Sequence, residues 1–500
     1  METVTDSGMM WKKRLEALAL SVIIMVLAVV CYYWNHYCSA LILLVGAVFL
    51  YFYIVKKVAN RNWMDFTALF TAIWMATIGL AALRLLSYQK IWEVRTWINL
   101  ILAVVVYQVG IPAGHILGGK IANWVAKHRD WHCGSLCLRF RKERLFWVCL
   151  AATVVATGLF IWNIQIKGYL PFFAGHVFNA YTKFYTKRMV FVTAAATVSP
   201  LAYWCIKRGN LPTWKKAVMW VCIVLNTFAF PMLAVNRGVF ICASLMLTAS
   251  VFFLNGKKFW VMVACMVVTF GFYEVGSLAR NYTNEYLSNI FTPVQLEWEH
   301  SDGGEETEPM EDPEIGLGDV SEEAEQGTLE VGDQTIVFEL PAQAAFLYGY
   351  FTVGHDNLNE AILYASTYTY GVRQLSPFNV ILRLDWINQI NENAEFYKVN
   401  YNLTTTNTIG NAYYDLREVG VIVMVLIWAV ILGALEKYYL KMEGTFALAA
   451  VGNGFSPVIL SFFSSWFTVF TFWMFWGTIF LFFLACSVTT CRAVKKRGEA

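Results

Sequence analysis

Twelve separate stretches of this chain are apolar for about the length of a bilayer crossing, and that constrains the fold more than any other feature. A helix needs about 20 mostly apolar residues to span the hydrocarbon core, because each residue rises about 1.5 Å. The stretches fall near 15–34, 39–55, 64–83, 98–118, 145–163, 189–206, 217–235, 238–255, 259–278, 419–436, 445–462 and 466–488. Lipid offers no hydrogen bonds to the backbone, so each reads as a helix, with Pro112, Pro200, Pro231 and Pro457 as points of possible breakage. Composition agrees: 58% of residues are hydrophobic and 15% charged, against about 45–50% and about 25% in soluble domains. This excludes a cytosolic enzyme, a disordered chain and a soluble protein with one anchor. The first apolar run is span-length and lacks a small-residue cleavage site, so no cleavable signal peptide is expected. The expected fold is an all-α polytopic membrane protein of about twelve transmembrane helices. Helices one to nine occupy 1–278, a large extracytoplasmic loop 279–418, and helices ten to twelve with a basic tail 419–500.

The net charge of +3 says little, because the charges are segregated. With the N-terminus inside, the segments on the cytoplasmic side hold 25 of the 38 Lys and Arg and the outer segments 13. That bias favours an even number of spans with both termini cytoplasmic. No short internal repeat is visible. The large loop lacks Lys and Arg between Arg280 and Arg373, while 297–339 holds sixteen Asp and Glu. Its acidic insertion (297–340) reads as a solvated excursion or a cation-binding flap. The following part (341–418) is helical in character, and 341–369 is aromatic and amphipathic, suited to the membrane interface as one or two helices.

Ionisable groups near a membrane are costly, so they mark candidate chemistry. Arg237 stands in a short outer turn and Arg280 closes the ninth span. Eight of the thirteen outer basic residues are Arg, at 84, 95, 188, 237, 280, 373, 383 and 417. The planar guanidinium binds phosphate oxygens bidentately, which Lys cannot do; snorkelling toward headgroups is the plainer reading of each. His355, followed by Asp356 and Glu360, supplies groups able to take a proton. Around the tenth span, Asn407, Tyr414, Asp415 and Glu418 form a polar approach; if that approach is helical, Asp415 and Glu418 share a face. Asp415 suits a base or a clamp for an Arg, and Tyr414 a sugar-stacking ring. His128, His132, Cys133 and Cys137 invite zinc, with spacing that fits poorly. Cys31 and Cys38 flank an outer turn and invite a disulfide. Within spans the ionisable residues reduce to Glu274, read as paired or satisfied at an interface, and His115, read as a span-end residue. No P-loop, G-x-S-x-G or H-E-x-x-H occurs, so no nucleotide cofactor is expected and no nucleic acid is implied.

Taken together, these features resemble the O-antigen polymerase (Wzy-type oligosaccharide repeat-unit polymerase) family. The resemblance rests on the span number, the large outer loop before span ten and the lone Arg in a short outer turn. Tyr368-Thr369-Tyr370-Gly371 is similar to the family's Tyr-Gly step. Asn407-Thr408 and then Tyr414-Asp415 before Val419-Gly420 are similar to its Asn-x-x-Thr…Tyr-x-Asp-x-Gly stretch, with Arg417 where Gly is common. The resemblance implies a membrane glycosyltransferase of the bacterial inner membrane. It would transfer a growing glycan from polyprenyl (undecaprenyl-type) pyrophosphate to a lipid-linked repeat unit outside the membrane, building O-antigen, capsule or exopolysaccharide. A chain-length regulator, a flippase and membrane lipids are the implied partners, with no cofactor. Under that reading Arg237 and Arg280 grip the pyrophosphate with Arg373 or Arg417 assisting, and His355 or Asp415 is the base. Asp356, Asn407 and Tyr414 contact substrate. A ligase moving finished glycan, and a lipid-linked oligosaccharide flippase, are the alternatives.

Overall fold

The computed structural model describes residues 3–86, 88–128, 132–133, 136–138, 140–173, 183–279, 327–331, 334–338, 342–394, 396–399 and 405–490. Each apolar stretch of the sequence is a helix. They are α1 (Thr3–Tyr32), α2 (His36–Lys57), α3 (Phe66–Ala82), α4 (Val94–Lys127), α5 (Lys142–Lys167), α6 (Lys187–Arg208), α7 (Thr213–Leu233), α8 (Arg237–Leu254) and α9 (Phe259–Ala279). Between the ninth and the next apolar helix lie α10 (Ala342–Tyr364), α11 (Val372–Leu382) and α12 (Asp385–Asn393), followed by α13 (Thr408–Met442), α14 (Thr445–Ile459) and α15 (Phe470–Ser487). Among the described residues nine helices are long and apolar enough to cross a membrane, and three shorter apolar ones lie within α3, α9 and α14. The protein is thus an all-α membrane protein. Strands are minor: a hairpin at His132–Cys133 and Leu136–Leu138, which Val488–Thr490 joins, and another at Gly327–Val331 and Gln334–Phe338.

Local chemistry sets the helix starts. Asn35, Asp65, Asn236 and Asn407 each accept a backbone N–H of the first turn, which satisfies a donor that helix geometry leaves open. Gly168 ends α5 in the left-handed conformation. Helices α4 and α13 pack with their backbones in close approach. Gly110, Gly114 and Gly118 recur every fourth residue on α4, and a methyl at Gly114 or Gly118 would strike the carbonyl oxygen of Val430 or Ala434. Small residues let two backbones approach where lipid supplies no hydrophobic drive.

Toward one end of this pair sits a partly buried polar chain. Arg14 Nη2 lies 3.2 Å from His115 Nδ1, and His115 Nε2 lies 3.0 Å from Glu436 Oε2. Glu436 Oε1 accepts from Asn62 Nδ2 and the Phe66 N–H, both at 3.4 Å. His115, expected as a span-end residue, thus meets Glu436, which lies at the edge of an apolar run and which the sequence reading passed over. Cys31 and Cys38 are free thiols. Arg280, the acidic run 305–326 and the side chains of Glu274, His132, Cys133 and Cys137 lie outside the described residues, and His128 Nδ1 approaches the Trp124 carbonyl at 2.9 Å.

Candidate functional site

The residues expected in the large loop do not lie apart from the bundle. Helix α10 packs against α3, α4 and α13, and its residues 352–362 are buried on every side. This corrects the expectation of an interfacial amphipathic segment. The helix is polar yet buried because its side chains satisfy groups on other elements, which offsets their desolvation. Asp356 accepts from Trp92 Nε1 at 2.8 Å and Gln89 Nε2 at 3.0 Å. Asn359 Oδ1 accepts from Thr96 Oγ1 at 2.7 Å and the Glu93 N–H at 3.0 Å. Asn357 donates to the Thr405 carbonyl at 2.6 Å and accepts the Val399 N–H at 2.9 Å. Glu360 pairs with Lys90 at 3.3 Å. Residues of two separate segments, 89–96 and 399–405, are thereby pinned to one rod.

His355 lies at the centre of that rod with no exposed surface. Its Nε2 is 2.9 Å from Thr77 Oγ1 and its Nδ1 3.4 Å from Asn407 Nδ2, with Trp74 edge-on at 5.2 Å. Burial pushes its pKa down to about 3 and that of Asp356 up to about 7. The structure thus joins His355 to Asn407, which also caps α13.

A second cluster forms where α13 meets α11. Asp415 is fully buried, and its Oδ1 accepts from Thr369 Oγ1 at 2.6 Å, the Gly371 N–H at 3.1 Å and the Arg373 N–H at 3.3 Å. Its Oδ2 accepts from Gln374 Nε2 at 2.7 Å. The carboxylate therefore caps the start of α11 from another helix, where the N–H groups and the dipole favour an anion. The Arg373 guanidinium does not join it. It stacks over Phe396 at 3.9 Å and Tyr414 at 5.5 Å, and its Nη1 is buried with no hydrogen-bond partner among the described residues. Burial pulls its pKa down to about 10, against the opposing charges of Tyr414 and Asp415. Gln374 Oε1, beside it in sequence, is likewise buried and has no partner among the described residues. Tyr414 is buried rather than offered to a sugar: its OH accepts the Tyr397 N–H at 2.8 Å and its ring meets Phe396 edge-on at 5.0 Å.

The expected shared face of Asp415 and Glu418 is absent, because the helix breaks between them. Leu416 (φ −149°, ψ 31°) and Arg417 (φ 55°, ψ −139°) leave helical geometry. Glu418 turns outward to Arg95 at 2.5 Å. Arg417 is exposed, covers the ring of Tyr368 at 4.4 Å and donates to its hydroxyl. Arg237 is buried at the first turn of α8. Its Nη2 donates to Tyr350 on α10 at 3.4 Å, and its guanidinium lies 5.5 Å from the Tyr273 ring. Tyr350 stacks on Phe463 at 5.0 Å, Trp466 borders Gly238, and Phe378 of α11 meets Trp473 at 5.1 Å. The turn between α14 and α15 thus touches both α8 and α11, so the elements bearing Arg237 and Arg373 gather at one end of the bundle.

Gln374, Phe396, Gln89 and Trp92 belong to this end and escaped the sequence reading. Only adjacency to Arg373 pointed to Gln374; the aromatic pair comes together through folding alone. No family model matches the chain, and no curated protein or solved structure does either.

Proposed function

We propose that the chain is a polytopic glycosyltransferase with twelve spans and both termini on the cytoplasmic side, joining lipid-pyrophosphate-linked oligosaccharides at the end of the bundle that holds Arg237 and Arg373. The observation that carries this reading is Arg373. A buried cation is normally paired, since leaving it alone costs several kcal/mol by rough measure. Here two aromatic faces hold the guanidinium, no carboxylate reaches it among the described residues, and the edge of its planar fork has an open donor. A diphosphate leaving group is the anion that such a fork fits. Donors already aimed at the developing charge stabilise the transition state more than the ground state.

Arg237 is the second cation of the proposed site, and Arg280 keeps its assignment as a further pyrophosphate ligand, as does Arg417 at the rim. His355 and Asp415 enter this reading as positioning residues: one locks α10 to α3 and α13, the other fixes the first turn of α11 from which Arg373 projects. Asp356, Asn407 and Tyr414 hold the loops that frame the site. The driving force resides in the pyrophosphate bond, so no nucleotide is required. The enzyme would lie in a bacterial inner membrane, with a flippase supplying substrate and a chain-length regulator beside it.

Arg373→Lys keeps the charge and removes the fork. In cells relying on this copy, we expect long-chain surface glycan to fall about 100-fold at unchanged protein level, the size of effect seen when one transition-state donor is lost. Unaltered chain length and amount would refute the role of Arg373. Accumulation of finished lipid-linked polymer that is no longer attached to its final acceptor would instead assign the protein to ligation.

A further inference from the structure

The opposite end of the bundle carries a set of cations that glycan transfer does not use. The start of α5, the end of α6 and the start of α7 converge there. Lys215 Nζ lies 5.0 Å from the ring centre of Phe146, 5.4 Å from Trp214 and 5.7 Å from Trp147. Lys142 Nζ lies 5.7 Å from Trp204, and Lys207 Nζ 5.9 Å from Tyr203. The rings themselves bridge the helices, with Phe146 against Trp214 at 6.0 Å and Tyr203 against Trp220 at 5.9 Å. None of the three ammonium groups forms an ion pair among the described residues; the pair in this corner is Arg208 with Glu443, at 3.4 Å.

We infer that this corner binds the phosphate of an anionic phospholipid headgroup. An ammonium held over a ring face is positioned without spending its N–H donors, so Lys142, Lys207 and Lys215, on three helices that pack on one another, keep theirs for phosphate oxygens. The rings identify the source of the phosphate. Trp147 and Trp214 are each 57% exposed, as in the aromatic belt at a membrane–water boundary. A soluble polyanion gains nothing from those faces. A lipid sets its phosphate among the lysines and its glycerol and upper acyl chains along the indoles, as basic pockets between spans do.

The test uses the full-length protein in detergent and native mass spectrometry, with phosphatidylglycerol or phosphatidylcholine added. The wild type is expected to retain phosphatidylglycerol preferentially. The triple variant Lys142→Gln, Lys207→Gln, Lys215→Gln should lose that preference, at about fivefold per lysine and roughly a hundredfold in all. The corresponding triple Arg variant should keep it, which separates loss of charge from loss of fold. Equal retention of the two lipids by the wild type, or an undiminished preference in the Gln variant, overturns the proposal. Displacement of the lipid by an equal concentration of inorganic phosphate would show that a free anion, not a headgroup, is the ligand.

Discussion

Arg373 and Asp415 are linked through a backbone N–H at 3.3 Å, yet the guanidinium and the carboxylate do not pair. That N–H and three other donors occupy the acid, and the guanidinium faces aromatic rings. Side-chain identity made Asp415 look like a proton acceptor; its surroundings make it a helix cap. His355 and Asp356 teach the same lesson with a measurable consequence, because adjacent residues titrate in opposite senses. His355 has a folded pKa of about 3 and an unfolded one of about 6.5. The unfolded chain therefore binds its proton first, and stability is lost as pH falls through that window. Asp356 has a folded pKa of about 7 and an unfolded one of about 3.9. There the folded state binds the proton first, and stability is gained as pH falls from about 7 toward 4. Between pH 7 and 5 each effect amounts to about 2 kcal/mol, and they nearly cancel. Thermal unfolding in detergent at the two pH values should separate them. Relative to the wild type, His355→Gln should gain stability on acidification and Asp356→Asn should lose it. Equal pH responses in all three proteins would show that neither group is buried as described.

Helices differ in how openly the sequence announces them. The apolar spans are legible because lipid demands about 20 apolar residues whatever the rest of the fold does. Helix α10 is legible as an amphipathic helix but not as a buried one, since Thr352, His355, Asp356, Asn357, Asn359 and Glu360 give no reason for burial until their partners on 77–96 and 397–407 are known. The break in α13 lies between these cases. Arg417 occupies a backbone conformation (φ 55°, ψ −139°) that glycine adopts freely. Strain of about 1–3 kcal/mol is expected there. Arg417→Gly and Arg417→Ala both remove the contact with Tyr368, so the Gly variant should melt higher; equal melting would place no strain at this residue. Packing of α4 on α13 gives a sharper contrast. Gly114→Leu must push two backbones apart and should cost about 3 kcal/mol or more, whereas Gly119, with nothing within 4 Å, should accept the same change. Yield and melting temperature of the two variants decide it.

At the scale of the whole molecule, the two ends of the bundle carry different chemistry, and the proposed activity requires them to face different compartments. One end gathers the α3–α4 connection, Arg237, α11 and the turn between α14 and α15; the other gathers Arg14, Lys142, Lys207, Lys215 and the small sheet that Val488–Thr490 completes. Connections at the second end belong to the segments holding 25 of the 38 Lys and Arg, and such loops resist export. Fusions of alkaline phosphatase and of green fluorescent protein test this directly, because the first is active only outside the cytoplasm and the second folds only within it. Insertions after residues 91 and 236 should give phosphatase activity, and those after residues 210 and 257 fluorescence. The reverse pattern would put Arg373 among cytoplasmic nucleotides, with no exported lipid-linked glycan to act on. A desolvated guanidinium would then have to serve a phosphate of another kind, and the glycan reading would fall even if every contact around Asp415 were correct.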